Sequence, residues 1–188
     1  MIAVYVIIGI IVIVLIAFIV IYNRLVNVHN QMKNTWAQVD VQLKRRHDLI
    51  PNLVETVRGY MQHERQTLES VTNARNLAQA ASGASIADRA KAEGVLSGAL
   101  ARLLAVVENY PDLKANQSFL RLQQELTTTE NGIGSARQSY NEMVIMCNNL
   151  YQMFPTNIVA RIFSYRTEEF FEVKAIEERE APKVSFTR

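Results

Sequence analysis

Twenty-one consecutive residues, Ile2 to Tyr22, carry no charge. A hydrocarbon core about 30 Å thick is crossed by roughly 20 apolar residues rising 1.5 Å each, so this run is long enough to span a bilayer as a helix. No Pro or Gly occurs between Gly9 and Pro51, so the helix is expected to continue without interruption into the polar part of the chain. A cleaved secretory signal needs a basic segment ahead of a shorter apolar stretch and small residues at its end. Here no basic residue precedes the run, and Ile19, Val20, Ile21 and Tyr22 close it with bulk. The segment reads as a retained anchor.

Orientation follows from the basic residues. Arg24, Lys33, Lys44, Arg45 and Arg46 all follow the span, and positive charge is retained on the cytoplasmic side. The expectation is a single-pass protein of the inner (cytoplasmic) membrane, with its N-terminus outside and its body in the cytoplasm. The lone Cys147 agrees, since one thiol gains nothing from a disulfide-forming compartment.

About 165 residues follow the anchor, enough for one domain of ordinary size. The formal net charge is only +2. Residues 23–48 hold five Lys or Arg against two Asp, a modest collar suited to anionic headgroups or to orientation. It falls far short of the domain-wide basic face that nucleic acid requires.

Proline disrupts helix interiors and is tolerated in a first turn, so Pro51, Pro111, Pro155 and Pro182 read as boundaries. Leu25, Val28, Met32, Trp36, Val39 and Leu43 recur at helical spacing and make one buried stripe. Asp48 is placed as the N-cap of a second helix with Pro51 in its first turn. Leu53, Val57, Met61, Leu68 and Val71 line that helix, which stops near Ala81-Ser82-Gly83. A third segment from about Ser85 to Asn109 buries Val95, Leu96, Ala99, Leu103 and Val107. In the fourth, Phe119, Leu122, Leu126, Thr129, Ile133, Ala136, Tyr140, Met143, Cys147, Leu150 and Phe154 alternate steps of three and four, a coiled-coil seam. Gly132 and Gly134 flank Ile133 and either loosen this helix or admit a neighbour closely.

The expected fold is therefore all-α: a transmembrane anchor at 1–22, continuous with an antiparallel up-down four-helix bundle at 23–154. A membrane-proximal aromatic segment and charged tail complete the chain at 155–188. In that tail Ile158, Ile162, Phe163, Phe170 and Phe171 are interleaved with Arg161 and Arg166. Two readings stand side by side: the segment caps the open end of the bundle, or it contacts lipid or a partner at the membrane–water boundary. Glu172 to Arg188 is charge-dense and expected to be mobile.

No constellation points to chemistry. Adjacent residues on a helix do not face each other, so His47 and Asp48 do not form an acid–base pair. His29 and His63 stand alone, without metal-ligand spacing. Cys147 lies on the seam and reads as a small apolar residue, and Trp36 as a core anchor. The sequence argues against an enzyme, a cofactor or a small-molecule substrate.

The run from Trp36 to Tyr60, WAQVDVQLKRRHDLIPNLVETVRGY, closely resembles the signature of the bacterial LemA family. Ala105–Phe119 (AVVENYPDLKANQSF) and Thr129–Asn141 (TENGIGSARQSYN) are similar to further segments of that family. So are Phe154-Pro-Thr-Asn157 and Phe170-Phe171-Glu172. Gly132 and Gly134 depart from its pattern. The resemblance implies an N-terminally anchored helical cytoplasmic protein with no established catalytic activity or active site. It also implies kinship with proteins of envelope or organelle-membrane organisation, and with others linked to a membrane metalloprotease.

The leading expectation is a non-enzymatic scaffold that self-associates as a homo-oligomer on membrane lipids. The alternative is an adaptor or regulator of a membrane metalloprotease. Arg45, Arg46, His47 and Asn52 form a candidate docking tip for that role, or else a tight turn between helices.

Overall fold

A computed structural model describes residues 1–61 and 63–172. Most of the expected charged tail, from 173 onward, lies outside the described residues. These contain six α-helices and one 3-10 turn, with no strand: α1 (Ile2–Arg58), α2 (Arg65–Ala80), the 3-10 turn Ala81–Gly83, α3 (Ile86–Val107), α4 (Pro111–Lys114), α5 (Gln117–Gln152) and α6 (Thr156–Ile162). The described residues divide into two compact units, one of residues 1–45 and 128–170, the other of 46–127 with 171–172.

The first unit contains the candidate span. α1 is one helix of 57 residues, about 86 Å at the α-helical rise, and it alone is long and apolar enough to cross a membrane among the described residues. The apolar side chains of residues 2–20 are exposed throughout, apart from the half-buried Phe18. Burial then sets in on the expected stripe, with Leu25, Met32, Val39 and Leu43 inaccessible. Across from it within the unit, Ile133, Ala136, Tyr140, Cys147 and Leu150 of α5 are buried as the seam requires, joined by Val144. Phe154 departs from the seam: it lies beyond the end of α5 and is 78% exposed. Gly132 is where a neighbour comes close, since a Cβ there would sit 2.8 Å from Gln42 Oε1, whereas Gly134 faces open space.

In the second unit α2 and α3 pack on each other around Leu53, Val57, Met61, Leu68, Val71, Leu96, Leu103 and Phe119. Ser85 caps α3, its Oγ accepting from the Asp88 amide at 3.1 Å. Val95 departs from its expected burial and is 52% exposed.

One boundary is corrected. No helix begins at Asp48: α1 runs through it and through Pro51 to Arg58, and a turn follows only at Gly59 and Tyr60. Proline's φ is itself helical, and its disruption comes from the missing N–H and from ring crowding. Pro51 faces solvent, and the carbonyl that it leaves without a helical donor is satisfied from α2. Apolar periodicity carries on across the proline through Ile50, Leu53, Val54 and Val57, all buried.

Candidate functional site

The four residues expected at a docking tip are mid-helix. Arg45 and Asn52 are exposed, but Arg46 and His47 are 1% and 6% exposed, so they do not form a shared outer surface. Arg46 donates to Ser97 Oγ at 2.9 Å and pairs with the Glu93 carboxylate. His47 Nε2 lies 3.0 Å from the other Glu93 oxygen. Burial pushes the Glu93 carboxyl up, but the His47 hydrogen bond and the Arg46 charge outweigh it and hold the group below its ordinary range. Buried charge is tolerated when paired and hydrogen-bonded. This knot fastens α1 to α3 inside the second unit.

The first unit brings the aromatic segment onto the end of the uncharged run. α6 begins after Pro155 and ends where Ser164 adopts φ 57°. That left-handed residue lets Tyr165 N–H bond back to the Ala160 carbonyl at 3.0 Å. Reversed in this way, the chain places Phe163 against Tyr22, with ring centroids 4.5 Å apart, and against Phe18 at 6.2 Å. Next, Tyr165 stacks on Tyr151 at 5.2 Å and meets the His29 ring at 5.3 Å.

Hydrogen bonds hold Glu168 and Glu169 in place. Asn148 pairs with the Glu168 backbone twice, accepting from its N–H at 2.8 Å and donating to its carbonyl at 3.1 Å. Tyr140 donates to the Glu169 carbonyl at 3.0 Å while its ring packs 4.9 Å from Trp36. His29 Nδ1 is 3.1 Å from the Tyr151 hydroxyl and 3.5 Å from a Glu168 carboxylate oxygen.

Burial, then the Glu168 charge, raises the Tyr140 hydroxyl to about 12. Burial likewise pushes up Tyr151 and the Cys147 thiol. A buried thiol held protonated is not a nucleophile.

The expected tail residues are thus divided. Ile158, Ile162, Phe163 and Phe170 are 52%, 61%, 45% and 40% exposed, while Phe171 is 1% exposed. His29 is not isolated. Its partners stand as many as 139 positions away (168 − 29), and no local spacing announces them. Among the described residues no group of three or more His, Cys, Asp or Glu is placed to hold a metal ion.

The sequence model described as LemA family matches residues 35–186. Protein LemA of Metamycoplasma hominis is 26% identical over 160 residues, covering 82% of this chain and 70% of that protein. Magnetosome protein MamQ of Magnetospirillum gryphiswaldense is 23% identical over 81% of this chain and 65% of its own length. Magnetosome protein MamQ 2 of Paramagnetospirillum magneticum is 31% identical over 44% of this chain and 30% of that protein.

Proposed function

The chain belongs to the LemA family, and from that premise we propose that it is a membrane-anchored helical scaffold, without catalytic activity, that self-associates on the bilayer and contributes to membrane organisation. The observation that carries this reading is the unbroken helix from Ile2 through the span into the body of the first unit. A break-free helix transmits the tilt of the span to the residues beyond it. The latch of Phe163 and Tyr165 onto α1 holds α6 at the same level. Copies packed side by side then impose one angle on the membrane around them. The magnetosome proteins among its relatives are in keeping with work at membranes.

In this reading the span crosses the inner membrane with its N-terminus outside, as the basic residues after Tyr22 favour. The test is the native mass of the full-length chain in a lipid-preserving polymer, beside a chain starting at Asn23. A discrete assembly that disappears without the anchor supports the scaffold. Monomers in both preparations overturn it and favour an adaptor that works singly beside a membrane protease.

A further inference from the structure

The surface around α6 is apolar where a water-facing surface should be polar. Ile158 and Ile162, one turn apart, are 52% and 61% exposed, and Phe154, just before the helix, is 78% exposed. The other side of α6 is already used, with Val159 and Ala160 buried. An exposed apolar patch of this kind calls for a partner. Its position says which one, because Phe163, directly after α6, packs on Phe18 and Tyr22 in the last turns of the uncharged run. Whatever surrounds the end of that run also surrounds α6.

We propose that α6 lies in the headgroup–acyl boundary of the bilayer that α1 spans, with Ile158, Ile162 and Phe163 among the upper acyl chains and Arg161 on anionic phosphates. The inference rests on Ile2–Tyr22 being the span and is independent of self-association. Tyr22 suits the boundary, where amphipathic rings collect, and Arg161, exposed between Ile158 and Ile162, can reach headgroups while its stem stays in contact with apolar chains. A short helix with bulky apolar residues and a basic side chain is matched to such a plane. A second copy or a soluble protein covering the patch is the competing occupant.

The experiment places a nitroxide at I162C, in a C147A background, on the full chain in vesicles of phosphatidylcholine with phosphatidylglycerol. Accessibility to oxygen is compared with accessibility to a water-soluble nickel chelate. I16C marks the bilayer. K44C marks water, being 22 residues (44 − 22) and about 33 Å of helix beyond Tyr22. The expected result is oxygen access at position 162 several-fold above nickel access, as at position 16 and opposite to position 44. Benzoylphenylalanine at position 162, with Cys147 intact, is expected to give lipid adducts on irradiation.

Nickel access at position 162 with position 16 in the bilayer overturns the proposal and leaves the anchor standing. Exclusion of both reagents, or crosslinks to protein alone, overturns it in favour of a covering copy or partner. Water at both positions removes the anchor as well. Arg161→Gln is expected to abolish any difference in depth between vesicles with and without phosphatidylglycerol, and the lack of such a difference in the parent chain overturns the headgroup contact.

Discussion

Arg75 Nε donates to the His47 carbonyl at 2.8 Å, and that oxygen is the one that Pro51, four residues on, cannot serve. In an α-helix each N–H bonds the carbonyl four residues earlier, and proline has no N–H. A guanidinium from α2 stands in for the missing amide, which is why α1 passes through Pro51. An unmade bond at a buried carbonyl costs about 1–3 kcal/mol, so Arg75→Met is expected to destabilise the protein by that order in chemical denaturation. Pro51→Ala restores the amide, and in that background the cost of Arg75→Met should shrink. Equal costs in both backgrounds sink the pairing.

This contact also marks how far sequence reasoning reaches. The long apolar helix and the α5 seam are readable because each is a long local pattern, and burial follows the seam from Phe119 to Leu150 with only Leu122 and Met143 partly exposed. Pro51 misleads because its local rule is overridden by a residue on another helix, and the buried stripe running past it through Ile50, Leu53 and Val57 is the better guide. Arg46 and His47 look like surface charge because Glu93, which pairs with both, is 47 residues away from Arg46. The tail's aromatic content is plain, whereas its division into the buried Phe171 and the exposed α6 face depends on the turn at Ser164.

The knot at Glu93 sets an acid limit. Its folded-state carboxyl lies below its ordinary value, so the stability it contributes is present above the unfolded value near 4.5 and is lost as pH falls through the folded value. Glu93→Ala leaves Arg46 buried without its carboxylate and is expected to cost about 3–5 kcal/mol. Arg46→Met with Glu93→Leu removes both charges and should cost much less than the sum of the single changes. Additive costs in a double-mutant cycle dispose of the pair.

Gly134 is a mid-helix glycine with open space where a Cβ would stand. Alanine there is expected to stabilise α5 by up to ~1 kcal/mol, through helix propensity and a less flexible unfolded chain. Gly132→Ala gains less, because Gln42 Oε1 must first move from 2.8 Å. A larger gain at 132 than at 134 in thermal unfolding contradicts this ranking.

Tyr140 sets the alkaline limit and ties the tail down. Its hydroxyl is raised from 10 to about 12 in the folded chain, so the folded state keeps a proton that the unfolded state releases first. Stability from this source is complete below pH 10 and is lost as pH rises toward the folded value of about 12. Tyr140→Phe removes the bond to the Glu169 carbonyl at a cost of about 1 kcal/mol near neutrality, yet it also removes this titration. The variant should therefore start less stable and lose less between pH 10 and about 12. Asn148→Leu removes both bonds to Glu168 and should raise amide exchange across residues 165–170 while leaving the middle of α5 protected. Unchanged exchange at 165–170 in that variant means that ring packing of Tyr165 on Tyr151 and His29, rather than the hydrogen bonds, holds the segment in place.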